Sequence, residues 1–215
     1  MPMKNGEREY RLISLTGNIE TRKAGDGRMY VEGYATTFGQ PYTLYDDSEL
    51  RIDEQVDPHA FDETDMKDVI MQYDHQGRVF ARQKNGTLEI NPDDHGLKMR
   101  ARLDGTDIGR QLYQEIEGGY TDKMSMGFTV KEDQRVRTMD HDTGKVFVMR
   151  TITKIKKLYD VSAVSLPAND ATEISARSLS EGVIKEIMEE RHAEEERQRE
   201  IEIAKTLMMM GGKET

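Results

Sequence analysis

The 215-residue chain contains no cysteine. This absence excludes disulfide bonds, thiolate nucleophiles and cysteine-based zinc sites, and it fits folding in a reducing cytoplasm. Hydrophobic residues make up only 35% of the chain and charged residues 33%, which indicates that part of the chain is solvated and does not share the core. There is no apolar run of membrane-spanning length, and residues 1–10 are too polar for a signal peptide. We therefore expect a soluble intracellular protein without a membrane partner.

The chain also lacks a basic stripe. Its net charge is -10 and its isoelectric point is about 5.1, and no segment combines dense lysine and arginine with interleaved aromatic residues. Because binding to a phosphate backbone depends on such a surface, we expect no nucleic-acid partner.

The length favours one substantial core with an appendage. We predict a folded domain over residues 1–177 and a charged helical arm over residues 178–215, with a linker at 178–182. The arm carries two apolar patches, at residues 183–188 and 201–208, which are separated by a polar run. Such a helix cannot bury a continuous apolar stripe, which is typical of an arm that binds a partner.

The fold class predicted from the periodicity is α+β and mainly β. Short alternating runs broken by turn residues indicate an antiparallel β core. The predicted strands cover residues 11–16, 29–35, 88–90, 97–103, 125–130, 135–139, 145–156 and 161–166. Residues 106–117 predict a helix with Ile108, Leu112 and Ile116 on one face. Asp57 and Pro58 predict the start of a short helix, and Asn85-Gly86 and Asp142-Thr143-Gly144 are hairpin-turn signals.

Three segments carry residues suited to nucleophilic catalysis, each at or near the end of a predicted strand. They are Tyr73-Asp74-His75, Lys123-Met124-Ser125-Met126-Gly127-Phe128, and residues 158–169, which run from Leu158 through Asp160 to Pro167-Ala168-Asn169. A serine hydroxyl needs a base within hydrogen-bonding reach and a third group that orients that base. We assign Ser125 as the candidate nucleophile, His75 as the base and Asp160 as the acid.

The surroundings of Ser125 suggest how a peptide would reach it. On a strand, Met124 and Met126 face away from Ser125, and Gly127 leaves space for a close backbone approach, which a substrate peptide could use. The segment is not the Gly-x-Ser-x-Gly elbow of doubly wound hydrolases. We therefore name Gly127 and Asn169 as candidate oxyanion or substrate-binding residues, with Asn169 and the amides near it as candidate donors to an oxyanion.

At these residues the sequence resembles the prohead maturation proteases of tailed bacteriophages, a serine protease family similar in fold to the herpesvirus assemblins. The resemblance covers roughly residues 10–177 and implies a closed or partly open antiparallel β-barrel surrounded by helices. Family members more often have Glu where this chain has Asp160, and the assemblins have a second histidine there. The shorter Asp160 requires compensation from the backbone, or another acid such as Asp74 contributes.

The resemblance also implies a function. It implies a serine endopeptidase that cleaves the major capsid precursor, the internal scaffold and itself inside the assembling procapsid in the host cytoplasm. It implies activity at high local concentration, with dimers or higher assemblies, and no cofactor or metal.

Two other functions remain open on the sequence alone. Asp93-Asp94-His95 and Asp140-His141-Asp142 place acids beside imidazoles, as metal-dependent hydrolases do, although both lie in predicted turns, where Asp is common for backbone reasons. The charged arm favours a second alternative, a non-enzymatic capsid assembly scaffold that retains the protease fold.

Overall fold

The computed structural model describes residues 8–13, 19–164 and 170–211. The first strands are β1 (Glu9–Ile13), β2 (Ile19–Lys23), β3 (Met29–Thr37), β4 (Tyr42–Asp46) and β5 (Leu50–Val56). They are followed by β6 (Ile70–Tyr73), β7 (Gln76–Arg82), a 3-10 turn (Gln83–Asn85), β8 (Leu88–Pro92) and β9 (Gly96–Arg102). The chain continues with helix α1 (Asp107–Glu117), β10 (Lys123–Met139), β11 (Val146–Val164) and helix α2 (Asp170–Gly211).

Strands β10 and β11 form a long antiparallel hairpin at the centre of the first sheet, whose order is β1-β10-β11-β5-β4. The turn predicted at Asp142-Thr143-Gly144 closes this hairpin, with Gly144 at a φ of 72°. Each half of β11 has a different parallel neighbour: residues 146–152 pair with β5, and residues 160–163 pair with β6. This second pairing places Ile70, the first residue of β6, opposite Asp160 and Tyr73, the last residue of β6, opposite Ala163.

The second sheet has the order β2-β3-β9-β8, and its inner face packs on the inner face of β10. Alternating burial along β5 and β9 shows that each contributes one side to the interior, as the period-2 pattern predicts. Helix α1 begins at the cap Thr106, whose hydroxyl accepts from the backbone amide of Gly109 at 3.1 Å. The predicted helix over residues 106–117 is thus confirmed, and Leu112 and Ile116 are buried.

The two sheets are open, so a closed barrel, one of the two forms predicted, is wrong. In the described ranges the first sheet ends at β4 and at β1, and neither strand pairs with the second sheet. The sheet is also mixed, because β11 binds β5 and β6 in parallel. Helices α1 and α2 lie beside the sheets and do not surround them.

Two local predictions are wrong. Asn85-Gly86 does make a tight turn, with Gly86 at a φ of 72°, but it joins strands of different sheets and forms no hairpin, because β7 pairs with β6 and β8 with β9. Asp57 does not start a helix. Its carboxylate accepts from the amide of His59 at 2.8 Å, and turns follow to residue 63.

Helix α2 runs without a break through residues 178–182, where the sequence predicted a linker. The first apolar patch of the arm is buried in part: Val183, with the half-buried Ile184 and Ile187 beside it, packs on Leu50 and Val146, whereas Met188 is exposed. Ile201 and Ile203 in the second patch are exposed. None of the helices within the described ranges is long and apolar enough to cross a membrane.

An ionic cluster is buried between β1, β5 and β11. It consists of Glu9, Arg11, Glu54 and Arg150, each at most 4% exposed. Arg11 donates to Glu54 through Nε at 2.5 Å, and Arg150 donates to Glu54 at 2.7 Å and to Glu9 at 2.9 Å. Because two carboxylates face two guanidinium groups, the cluster carries no net charge, as burial of ionised groups requires.

Glu54 is the most deeply placed acid of the ionic cluster. Burial works to raise its pKa, but the charges of Arg11 and Arg150, together with hydrogen bonds from Arg11 and Tyr42, outweigh burial and lower the pKa to about 2. Because the folded-state pKa lies below the ordinary value of 4.5, the carboxylate stabilises the fold fully above pH 4.5, and this contribution is lost as the pH falls towards 2.

We therefore expect the free energy of unfolding to decrease with acidification between pH 4.5 and pH 2 by about 3 kcal/mol through this group alone. Urea denaturation at a series of pH values measures it. Glu54→Gln, which has no titratable carboxyl, should show a shallower decrease than the wild type. Glu49→Gln, at an exposed glutamate in the β4–β5 turn, should follow the wild type. A wild-type slope equal to that of Glu54→Gln would contradict the prediction.

Candidate active site

His75 lies in the tight turn between β6 and β7. Asp74 and His75 have φ values of 46° and 58°, a left-handed conformation in which Asp and His are enriched among residues other than glycine. Two hydrogen bonds hold this turn on β11: the Asp74 amide donates to the carbonyl oxygen of Ala163 at 3.1 Å, and the His75 amide donates to Ser162 Oγ at 3.2 Å. The imidazole is therefore fixed over the end of β11.

The register of the β10–β11 hairpin places the other two predicted residues on the same face. Ser125 lies opposite Ser162, and Gly127 lies opposite Asp160. Met124 and Met126 point to the opposite face and are fully buried, as the alternation predicted. Asp160 lies well inside β11, whereas the sequence placed it just before a strand.

The three predicted side chains form one chain of hydrogen bonds. His75 Nε2 is 2.6 Å from Ser125 Oγ, and His75 Nδ1 is 2.5 Å from Asp160 Oδ2. Ser125 is 1% exposed and Asp160 is fully buried, and the side chain of His75 is 3% exposed. The sequence order His, Ser, Asp thus becomes the spatial order Ser, His, Asp.

The electrostatics of Asp160 determine which nitrogen of His75 carries the proton. Burial works to raise the pKa of Asp160, but the hydrogen bond and charge of His75, the charge of Arg8 and the Ser162 hydroxyl outweigh burial and hold this pKa below its ordinary value. An ionised carboxylate can only accept. His75 Nδ1 therefore donates to Asp160, and in the neutral imidazole Nε2 accepts from Ser125.

Sequence reasoning missed two residues that hold Asp160. The Ser162 hydroxyl donates to Asp160 Oδ2 at 2.9 Å, and the guanidinium of Arg8 forms an ion pair with Asp160 Oδ1. Ser162 could have been found, because it lies two residues after Asp160 and so on the same face of the strand. No local signal marks Arg8, which reaches Asp160 from a distant part of the chain.

Gly127 was predicted to leave a gap for a substrate peptide, but that space is filled. A Cβ built at Gly127 would lie 2.3 Å from Asp160 Oδ1 and 3.0 Å from the guanidinium of Arg8. The absent side chain therefore makes room for the acid of the site, and an oxyanion role for the Gly127 amide stays a prediction. Asn169, the other predicted oxyanion or substrate residue, lies outside the described residues.

Neither cluster considered for metal binding collects further ligands. Asp93 Oδ1 accepts from the amides of His95 and Gly96, and Asp140 Oδ1 accepts from those of Asp142 and Thr143. Within the part of the chain that the structure describes, no three His, Asp or Glu side chains are grouped to hold a metal. These aspartates organise turns.

A surface cleft of about 570 Å³ is lined by residues that lie close in sequence to the candidate site residues. Tyr73 and Gln76 line it directly beside Asp74 and His75, and Tyr120 and Thr121 line it just before β10. Leu112 of α1 contributes apolar surface. The cleft therefore combines aromatic, apolar and polar groups close in sequence to His75 and Ser125.

Gly127→Ala should displace the Asp160 carboxylate, since the new methyl group has no free space. We expect a loss of about 1–3 kcal/mol in the free energy of unfolding. The downfield proton resonance of the His75–Asp160 hydrogen bond should weaken or disappear, and NMR measures it directly.

Gly105→Ala is the matched control, because a Cβ at Gly105 has no atom within 4 Å. This variant should keep both the stability and the His75 resonance. An unchanged resonance in Gly127→Ala would show that Asp160 does not depend on the missing side chain.

A family model described as caudovirus prohead serine protease matches residues 17–186. Among solved structures, the bacteriophage T4 capsid assembly protease, gp21, aligns with a TM-score of 0.42 and 15% sequence identity, over 75% of this chain and 100% of that chain. No curated protein sequence matches. Because the family match covers well over half of the chain, this protein belongs to the caudovirus prohead serine protease family.

Proposed function

We propose that this chain is a serine endopeptidase in which Ser125 is the nucleophile, His75 the general base and Asp160 the residue that orients the base. The observation that carries the proposal is the hydrogen-bond chain of 2.6 Å from Ser125 Oγ to His75 and 2.5 Å from His75 to Asp160. Family membership supports serine peptidase chemistry.

In the first step Ser125 Oγ attacks the carbonyl carbon of a peptide bond and its proton passes to His75 Nε2. Asp160 stabilises the imidazolium that forms, because its buried carboxylate already accepts from Nδ1. His75 then donates the proton to the leaving amine, which departs and leaves an acyl group on Ser125.

In the second step a water molecule donates a proton to His75 Nε2 and attacks the acyl carbon. The tetrahedral intermediate collapses, the new carboxyl terminus leaves, and the proton returns from Nε2 to Ser125 Oγ. Asp160 stays ionised throughout, in keeping with its lowered pKa.

The substrates we propose are the major capsid precursor, the internal scaffold and the protease itself, cut inside the assembling procapsid in the host cytoplasm. The family description of prohead proteases supports this assignment. The 570 Å³ cleft, which is lined by Tyr73 and Gln76 on either side of Asp74-His75 in the sequence, is the proposed site for a substrate side chain near the scissile bond. We also propose that residues 1–177 form the protease domain, that the arm directs the chain to a forming shell, and that the protein dimerises.

Ser125→Ala and His75→Ala should each reduce kcat for a peptide spanning a cleavage site by about 10⁶-fold, because each residue takes part in the proton transfer. Asp160→Asn should reduce kcat less, by about 10⁴-fold, since Ser125 and His75 remain. Co-expression with the capsid precursor, followed by intact mass spectrometry, identifies the cleavage sites, and steady-state kinetics on matching peptides measures the variants.

Ser48→Ala, at an exposed serine of the β4–β5 turn, is the control and should keep full activity. Trimming that persists in Ser125→Ala but stops on chelation would favour the metal-dependent alternative. A capsid precursor that is never trimmed under assembly conditions would favour the non-enzymatic scaffold.

Tyr120→Ala tests the cleft separately from the chemistry. Tyr120 is 79% exposed, so its removal leaves the fold intact and takes away one wall of the proposed subsite. We expect KM to rise about tenfold with little change in kcat, because the lost contact does not involve the reacting atoms. Val136→Ala, at an exposed residue on the far end of β10, should leave both constants unchanged. An unchanged KM in Tyr120→Ala would remove the cleft from the substrate site.

A further inference from the structure

Ser162 lies between the backbone that carries the proposed base and the acid that orients this base. It belongs to β11, where it is opposite Ser125 of β10 and two residues after Asp160, so its side chain points to the same face as both. Ser162 is fully buried. The proposed reaction gives its hydroxyl no step, yet a buried hydroxyl requires hydrogen-bond partners. The identity of these partners therefore indicates what the residue does.

The hydroxyl of Ser162 uses one lone pair and its proton on two different groups. The backbone amide of His75 can only donate, and its nitrogen lies 3.2 Å from Ser162 Oγ. Asp160 Oδ2 lies 2.9 Å from the same Oγ, and an ionised carboxylate can only accept. The two bonds therefore run in one direction, from the His75 amide through Ser162 to Asp160.

These two bonds close a ring of contacts around the base. Asp160 Oδ2 also accepts from His75 Nδ1 at 2.5 Å. The backbone and the imidazole of His75 are thus both connected to one carboxylate oxygen, the backbone through Ser162 and the imidazole directly. The position of the imidazole relative to its own backbone is therefore set through Ser162 and Asp160 together.

The turn that carries His75 depends on support from β11. Asp74 and His75 have left-handed φ values of 46° and 58°, a conformation that costs free energy for residues with a Cβ. The Asp74 amide donates to the backbone carbonyl of Ala163, whereas the His75 amide donates to the side chain of Ser162. A substitution at position 162 removes the second bond and leaves the first in place.

The carboxylate of Asp160 is restricted on two sides. On the side of Oδ1, a Cβ built at Gly127 would lie only 2.3 Å away, so the carboxylate occupies the space that the missing side chain leaves. On the side of Oδ2, the Ser162 hydroxyl donates to it. Because Asp160 has a short side chain, its contact with His75 depends on both restrictions.

We propose that Ser162 is a positioning residue of the peptidase reaction. Its hydroxyl fixes Asp160 relative to the backbone of His75, so that Nδ1 meets the carboxylate while Nε2 faces the nucleophile. Ser162 acts through these two residues and touches no reacting atom. This inference rests on the proposed function, because it takes His75 as the base and Ser125 as the nucleophile.

Ser162→Ala removes the hydroxyl with little change in volume. Because a hydrogen bond to a charged group is lost, we expect kcat for a peptide spanning a cleavage site to fall about 10–100-fold. KM should stay unchanged, since the fully buried side chain cannot contact a substrate. Steady-state kinetics measures both constants, and urea denaturation verifies that the variant is folded under the assay conditions. An unchanged kcat would overturn the inference.

Thr129→Val is the matched control. Thr129 is 2% exposed on β10, and its Oγ1 has no hydrogen-bond partner within the part of the chain that the structure describes. The substitution therefore removes a buried hydroxyl from the same hairpin without breaking a hydrogen bond. Both kcat and KM should keep their wild-type values.

A double-mutant cycle separates positioning from a general structural role. The readout is the rate at which a fluorophosphonate probe labels Ser125, measured by intact mass spectrometry. Asp160→Ala removes the carboxylate that Ser162 positions. Ser162→Ala should therefore slow labelling by less than about threefold in the Asp160→Ala background, against about 10–100-fold in the wild-type background.

A general defect of the fold would slow labelling by the same factor in both backgrounds. That result would overturn the inference and would leave the proposed nucleophile intact. Failure of the probe to label Ser125 in the wild-type protein would instead overturn the proposed function itself.

Discussion

The register between β10 and β11 is the constraint on which the rest of the site depends. It places Ser125 opposite Ser162 and Gly127 opposite Asp160, so that the hydroxyl, the carboxylate and the space for that carboxylate all lie on one face. A slip of one residue would turn every one of these side chains to the other face. The fully buried Met124, Met126 and Val161 oppose such a slip, because it would move them out of the core. The hydrophobic core thus sets the geometry of a polar site on the opposite face of the same strands.

The same strands separate two groups of polar side chains, the ionic cluster on one face and the candidate site on the other. On the inner face, the ionic cluster consists of acids and arginines that bind each other and are sealed from solvent. On the outer face, Asp160 has an ion pair, a hydroxyl and an imidazole as partners, and the imidazole keeps one nitrogen for chemistry. In both groups the surrounding side chains keep a carboxylate ionised. Glu54 on the inner face holds the strands together, and Asp160 on the outer face fixes the tautomer of His75.

Much of this was predictable from local signals, and the remainder depended on pairing between distant segments. The α1 helix, the Asp142-Thr143-Gly144 turn and the strands predicted at residues 29–35, 88–90 and 97–103 follow from periodicity and turn residues. The four strands predicted from residue 125 onwards are in fact two, β10 and β11, within the described residues. The three candidate site residues were taken from motifs at the ends of predicted strands. The closed barrel was wrong because periodicity does not state which strands pair, and β11 shares its two halves between β5 and β6. The linker predicted at residues 178–182 was wrong. The local sequence there favours a helix only weakly, but packing of Val183 on Leu50 and Val146 stabilises the helix across these residues. Arg8 and the ionic cluster could not be found, because the residues that Arg8, Glu9 and Arg11 bind on β5 and β11 are more than 40 positions away, and charge patterns on one strand do not reveal them.

Helix α2 contacts β1 as well as β4 and β5, and among the side chains of this helix that the structure describes, Glu190 is the last that pairs with the first sheet, through Arg137. From there to Gly211 a helix rises about 32 Å. A molecule bound at the far end of this segment would therefore have its distance from the first sheet fixed by the helix. Tethering at such a distance raises the effective concentration of nearby chains without any contact at the sheet itself. The length of a charged helix that continues from the core would then decide which chains lie within reach of the first sheet.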